Sequence, residues 1–217
     1  MGLKEDIYRE VVAGHAEEVK ALTSRAIEEG LNAQEVLNKS LIPALVEVGD
    51  RFEKGDLWVP EMLVSARAMK WGVEVLRPSL AEEGSKPIGT CLIGTVAGDL
   101  HDIGKNLVVM MLEGNGFRVV DLGIDVAADV FVDGVRQHSP QFVGMSALLT
   151  TTMPAMKATI EALQKAGLRD RVAVMVGGAP LTQRYADQIG ADIYAGDASA
   201  AARMAREVLA QRWQATG

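Results

Sequence analysis

The sequence predicts an α/β protein: an N-terminal bundle of four or five helices, then a flavodoxin-like (Rossmann-type) domain on a five-stranded parallel sheet. Apolar residues recur at helical spacing up to about Ser79. A polar, proline-bracketed stretch from Arg77 to Pro87 then interrupts the pattern. Beyond it, five short β-branched or apolar runs alternate with helical ones, the grammar of a doubly wound parallel sheet.

In the first part, Ile7, Val11 and Val12 form one apolar stripe, and Val19, Leu22, Ala26 and Ile27 a second. Asn32 with Glu35 reads as a capping box opening a helix through Val36, Leu37, Leu41, Leu45 and Val48. Pro43 inside that helix should kink it or mark a break. Pro60 opens the last helix, through Met62, Leu63, Ala66, Met69, Val73 and Leu76. The expected boundaries are a bundle over 1–80, a linker over 81–87 and an α/β domain over 88–217.

In the second part, strands are expected at Ile88–Val96, Arg118–Leu122, Phe142–Ser146, Val172–Val176 and Asp192–Ala195. Helices are expected near Lys105–Glu113, Ala128–Gln137, Met153–Ala166, Thr182–Ile189 and Ala198–Trp213.

The chain has 217 residues, 48% of them hydrophobic, and a net charge of −7. With no basic run or aromatic-studded basic patch, nucleic acid is not the expected partner. No stretch reaches the roughly 20 apolar residues that span a bilayer, and Met1–Asp6 lacks the apolar core of a signal peptide. The single cysteine, Cys91, lies in an apolar run and suits a reducing cytosol. A cytoplasmic protein with no membrane partner is expected.

The most informative stretch is Gly98-Asp99-Leu100-His101-Asp102-Ile103-Gly104-Lys105, which follows the first expected strand. An Asp two residues before a His lets a carboxylate take one ring nitrogen and leaves the other basic and free for a metal. Open α/β sheets bind ligands at the carboxyl ends of their strands, where this pair falls. Strand three ends in the hydroxyl-rich Ser146–Thr152 loop, strand four in Gly177-Gly178, and strand five in Ala195-Gly196-Asp197-Ala198. Glycines and hydroxyls at several strand ends fit a long or flat ligand better than a compact ion.

Plainer readings stand beside these. His101 can be a loop histidine bonded to its own turn. Asp102 can cap the helix beginning near Gly104, one of Thr150–Thr152 can cap the next helix, and Gly177-Gly178 can be an ordinary tight turn. Phe52, Trp58 and Val59 can be bundle core. His15 and His138 have no acidic partner at useful spacing and read as surface residues.

Gly98–Gly104, then Ser146-Ala147-Leu148, then Gly177-Gly178 resembles the three-part pattern of methylcobalamin-carrying proteins. Gly49–Pro60 and Ser65–Lys70 resemble the cap bundle that precedes that domain in cobalamin-dependent methionine synthase. The free-standing form is most similar to the corrinoid proteins of anaerobic methyltransferase systems, which serve methanol, methylamines, betaines or methoxylated aromatics. The resemblance implies a cobalamin cofactor cycling between Co(I) and methyl-Co(III), bound base-off with His101 as the protein's metal ligand. Asp99 would hold the other imidazole nitrogen, within a loop that includes Asp102, Ile103 and Gly104. Ser146, Leu148, Thr150, Gly177, Gly178 and Ala198 would line the path of the nucleotide tail, and Phe52, Trp58 and Val59 would roof the upper face. Methionine synthase extends the Asp–His relay with a serine; Thr152 stands at the matching position.

By the same resemblance the chain is a non-catalytic methyl carrier, with no catalytic residue of its own. Its partners would be a substrate-specific corrinoid methyltransferase and an acceptor methyltransferase using tetrahydrofolate or a thiol, together with a reductive activase. The Glu53–Trp58 segment is the candidate docking surface. The alternative from another class is a cobalamin-binding sensor, which usually adds a DNA-binding helical domain. A mutase fragment usually needs a barrel partner and lacks the roof bundle. A receiver domain fails because Ser146 stands where a phosphate-accepting Asp is needed, and Gly196–Asp197 where a Lys is. A flavodoxin-type FMN site fails because Asp99, Leu100 and His101 replace the phosphate loop.

Overall fold

A computed structural model describes residues 2–82 and 86–214. The chain divides into two compact units, Met1–Pro87 with Glu113–Gly116, and Ile88–Leu112 with Phe117–Gly217.

The first unit is helical: α1 (Leu3–Ala13), α2 (Ala16–Glu28), α3 (Ala33–Val36), a π-helical turn at Leu37–Leu41, α4 (Ile42–Glu53) and α5 (Val59–Glu82). Ile7, Val11, Val19, Ala26, Leu41, Leu45, Val48, Met69 and Leu76 are buried in it, so the predicted stripes are its core. Asn32 Oδ1 accepts the Glu35 amide at 2.8 Å, one half of the capping box. The other half is replaced, because Lys39 and Lys4 engage the Glu35 carboxylate at 2.6 and 2.9 Å. As expected, the helix opened at Asn32 is interrupted near Pro43. Pro43, in the first turn of α4, offers no N–H to the carbonyl four residues back, and the ladder widens to a π turn just before it.

α5 begins where the Trp58 amide donates to Glu61 Oε2 at 2.8 Å. It then runs through Pro78 to Glu82, so Arg77–Glu82, expected on composition to begin the linker, is helical. Proline's φ suits a helix; the cost is one lost bond and crowding of the preceding turn. Of the expected linker, residues 83–85 lie outside the described residues.

The second unit alternates β1 (Thr90–Thr95), α6 (Ile103–Gly114), β2 (Arg118–Asp121), α7 (Ala128–His138), β3 (Phe142–Ser146), α8 (Pro154–Lys165), β4 (Ala173–Gly177), α9 (Gln183–Ile189), β5 (Ile193–Ala195) and α10 (Ala198–Leu209). All strand pairs are parallel, in the order β2-β1-β3-β4-β5. That is the flavodoxin-like order, with a switch point between β1 and β3. Leu92, Phe131, Val143, Met156, Leu163 and Val174 fill the core between sheet and helices. The helix expected to reach Trp213 loosens to a π turn at Ala210–Gln214, and the Trp213 ring packs on Phe142 at 5.6 Å between centroids.

The register decides where function can gather. Thr95 pairs with Ser146, Ser146 with Gly177, and Gly177 with Ala195. Four strands thus end level, side by side. Among the described residues no helix is long and apolar enough to cross a membrane.

Candidate functional site

The His101 loop starts with a tight turn in which the Asp99 amide donates to the Val96 carbonyl at 3.1 Å. Gly98 takes the turn's third place at φ +82°, a region that favours glycine. The next loop across braces it: the Gly98 amide donates to Asp125 Oδ1 at 2.7 Å, and the Asp125 amide to the Asp99 carbonyl at 3.0 Å. Thr95 Oγ1 donates to the His101 carbonyl at 3.0 Å.

This geometry drives the Asp99 side chain inward, to 0% exposure. Oδ1 accepts His101 Nδ1 at 2.7 Å and the His101 amide at 3.1 Å. Oδ2 accepts the Leu148 amide at 2.7 Å, the Leu149 amide at 3.2 Å and Thr152 Oγ1 at 2.7 Å. Burial alone would raise its pKa. The bonds from Thr152, His101 and Leu148 outweigh burial and hold the carboxyl well below the usual carboxylate range. Asp99 is thus ionised. Facing an anion at 2.7 Å, Nδ1 is the donor, so in the neutral ring the lone pair is on Nε2. The imidazole is 51% exposed, so that lone pair is available to a ligand from outside.

The other expected residues of this unit surround the strand ends. Ser146 closes β3 between Thr95 and Gly177, and its carbonyl accepts the Val96 amide at 3.0 Å. Leu148 and Thr150 are exposed in the following loop, and Thr152 is buried beneath it. Gly177 and Gly178 end β4. A Cβ on Gly178 would fall 1.9 Å from the Ala147 carbonyl oxygen, so the missing side chain here serves contact with β3's own loop. Ala198 is buried as the first residue of α10, behind the Asp197 cap. Ile103 opens α6 one residue ahead of Gly104, and Asp102 accepts Asn106 Nδ2 at 3.1 Å.

Two expectations need correcting. None of Thr150–Thr152 caps α8: its N-cap is Met153, without a side-chain cap bond, and the Thr152 hydroxyl turns to Asp99 and the Leu149 carbonyl instead. His15 does have an acidic partner, Glu10 Oε2 at 2.7 Å. Gly14, at φ +77°, turns the chain back over the end of α1 and brings the two together on the surface.

In the helical unit, Phe52 is half-buried on α4, while Trp58 at 76% exposure and Val59 at the start of α5 face solvent. Trp58 is therefore not bundle core. Cys91 is buried in β1, and burial pushes its thiol up to about 12, which makes it inert.

Of an exposed apolar apron, the sequence reading named Ile103 and Leu148 but missed Leu100, which adjoins His101 in the chain, Ile124, which adjoins Asp125, and Leu149, whose amide bonds Asp99. It also missed Thr95 and Asp125. Exposed leucines and isoleucines in loops were the signal for the first; nothing local marks the other two.

Among the described residues, no three His, Cys, Asp or Glu side chains gather to hold a bare ion. A metal on His101 must bring most of its own ligands, as a macrocycle does, and an apolar apron suits a macrocycle's face. His101, held at Nδ1 by Asp99, would be the residue to hold such a group.

The family model described as "B12 binding domain" matches residues 89–205, and a second of the same description matches 3–77. The chain belongs to the B12-binding family. Cobalamin is accordingly its cofactor, and over nearly its whole length it is similar to named corrinoid proteins. It is 41% identical over 215 residues to trimethylamine corrinoid protein 1 of Methanosarcina acetivorans, covering 96% of this chain and all of that one. It is 42% identical over 211 residues to dimethylamine corrinoid protein 1 of the same organism, covering 95% and 99%. Among solved structures, a chain of the methanol:cobalamin methyltransferase complex MtaBC from Methanosarcina barkeri superposes with TM-score 0.83 at 30% identity, covering 96% of this chain and 80% of that one. A cobalamin-binding protein from Desulfitobacterium hafniense superposes with TM-score 0.80 at 27% identity, covering 95% and 98%. This B12-binding protein thus carries the expected cap-type helical unit and Rossmann-like sheet unit.

Proposed function

We propose that this B12-binding protein is a methyl carrier that holds cobalamin base-off with His101 Nε2 as the lower axial ligand, and that its methyl donor is a methylamine. The Asp99–His101 pair carries the reading: a ligand nitrogen with its lone pair outward, fixed by a buried carboxylate in a strand-end loop. The methylamine class is supported by relatives named for trimethylamine and dimethylamine at 41–46% identity.

Cobalamin supplies the cobalt centre that takes up and gives away the methyl group. The chain supplies the setting. Asp99 Oδ1 keeps the ring proton at Nδ1, and Thr152 Oγ1 with the Leu148 and Leu149 amides keeps Asp99 ionised. Leu100, Ile103, Ile124, Leu148 and Leu149 exclude water from the cofactor's lower face. Ser146, Thr150, Gly177, Gly178 and Ala198, at or near the level ends of β3, β4 and β5, line the tail socket together with the Asp102–Gly104 turn. The helical unit is the cap, with Phe52, Trp58 and Val59 as its roof. The carrier does no chemistry alone. One methyltransferase loads it, an acceptor methyltransferase using tetrahydrofolate or a thiol unloads it, and an activase restores the reduced state.

The test is reconstitution of the whole chain with hydroxocobalamin, followed by electron paramagnetic resonance after reduction to Co(II). Stoichiometric binding with a protein nitrogen on cobalt, lost in His101→Ala, is the expected result. Binding with the cofactor's own base still on cobalt would overturn the ligand assignment. Transfer from methanol but not from trimethylamine or dimethylamine would overturn the donor class.

A further inference from the structure

We infer that Lys105 is a positioning residue for His101, through a hydrogen-bond circuit whose two arms end on the His101 carbonyl and on Asp102. The inference rests on His101 being the cobalt ligand.

Lys105 lies on the first turn of α6, four residues beyond His101, and is only 2% exposed. A buried ammonium is costly unless its protons are bonded and its charge matched. Here Nζ donates to Asp121 Oδ2 at 2.5 Å and to Asn106 Oδ1 at 2.8 Å. Neither acceptor is a dead end.

The first arm runs through β2 and β1. Asp121 Oδ1 accepts the Gly123 amide at 2.9 Å, the Gly123 carbonyl accepts the Thr95 amide at 2.9 Å, and Thr95 Oγ1 donates to the His101 carbonyl at 3.0 Å. The second arm stays on α6. Asn106 Nδ2 donates to Asp102 Oδ2 at 3.1 Å, and the Asn106 amide to the Asp102 carbonyl at 2.8 Å.

His101 is thus held from two sides by separate means. Asp99 fixes the ring at Nδ1. The Lys105 circuit fixes the backbone that carries the ring, by tying the loop to the end of β2 and to the first turn of α6. An axial ligand must meet its metal at one distance and angle, so backbone freedom here translates into weaker or mixed ligation. Partners that orient a metal-bound histidine typically change affinity about 10- to 100-fold when removed.

Lys105→Met is the informative variant. It keeps the unbranched stem in its packing and frees Asp121, which is partly exposed and can be hydrated. Removing Asp121 instead would leave a buried ammonium without its counter-ion. Three readouts are needed on the full chain: amide hydrogen exchange without cofactor, hydroxocobalamin affinity, and the fraction of Co(II) carrying a protein nitrogen. The expected result is faster exchange at Thr95, His101 and Gly123, affinity lower by about 10-fold or more, and a mixed Co(II) signal. A Lys105→Met protein with wild-type exchange at those amides and undiminished nitrogen ligation would overturn the inference, whatever its thermal stability.

Should Lys105→Met fail to fold, Asn106→Ala decides. Asn106 is exposed, and its loss cuts only the second arm. The same changes in smaller measure are expected, and their absence overturns the inference. Loss of nitrogen ligation in the wild-type protein would count against the proposed function, while the exchange data would still judge the circuit.

Discussion

Thr152 Oγ1 lies 2.7 Å from Asp99 Oδ2, on the opposite carboxylate oxygen from His101 Nδ1. It is also 2.8 Å from the Leu149 carbonyl, and a hydroxyl has one proton to give. Given to Asp99, that proton makes Thr152 the third member of an imidazole–carboxylate–hydroxyl chain; given to Leu149, it leaves Asp99 with backbone donors and His101 alone. The bulk of threonine does not prevent the contact that a serine would make.

Thr152→Val keeps the shape and removes the donor. It is expected to cost about 1–2 kcal/mol in denaturant unfolding, the range for a hydrogen bond to a charged group with part of its shell retained. Thr152→Ser should stay close to wild type. Equal stability of the valine and threonine proteins would refute a stabilising Thr152–Asp99 hydrogen bond.

Asp99→Asn turns an acceptor of five bonds into a group whose NH2 faces other donors. A loss of about 2–3 kcal/mol is expected. The pH dependence has a definite sign. The folded pKa of Asp99 is depressed, so its stabilisation is present above the ordinary carboxylate pKa and is lost as pH falls through the lower, folded value. The Asp99→Asn protein should therefore lose less stability on acidification than wild type, read from unfolding free energies between neutral pH and about pH 3.

Gly178→Ala places a methyl group against the Ala147 carbonyl at a φ of +138°. Backbone strain of about 1–3 kcal/mol is expected before the clash is counted. Thermal unfolding measures it, and a melting temperature indistinguishable from wild type would refute the close approach of these loops.

Trp58 is exposed and anchors no core, so Trp58→Ala should change unfolding stability by less than about 0.5 kcal/mol. As a roof or docking residue it should still be needed for methyl transfer. Unchanged transfer to and from both partner enzymes would remove it from that role.

Glu35 offers an acid-range test in the helical unit. Lys39 and then Lys4 lower its pKa to about 2. A depressed carboxylate stabilises above its unfolded value of 4.5, and that contribution is lost as pH falls from there toward about 2. Carboxyl-carbon NMR titration should find the low midpoint, and Lys39→Met should raise it.

Much of this was legible in the sequence, and the misses have physical causes. The five strands and the helices between them follow from short apolar runs alternating with helical periods and turn residues; the inner strands β1, β3 and β4, buried on both faces, are written in apolar runs. Composition misjudged Arg77–Glu82: polar residues beside a proline look like a linker, yet a helix absorbs one proline at the loss of one bond. It also read the hydroxyls of Thr150–Thr152 as caps, when Thr152 is drawn away by a carboxylate 53 residues earlier in the chain. His15 was read as unpartnered because Glu10 is off helical spacing; only the left-handed Gly14 makes five residues a contact.

Periodicity and short-range spacing were enough to find the two-part architecture, the strand-end location of the site, and the pairing of Asp99 with His101. Each of these is written in residues near one another in the chain. The folded chain was needed to show that Asp99 is wholly buried, that Leu148, Leu149 and Thr152 complete its shell, that Asp125 and Thr95 brace its loop, and that Lys105 reaches Asp121. Those contacts join residues 16 to 53 apart in the chain or depend on strand register, and a register exists only once the sheet has formed.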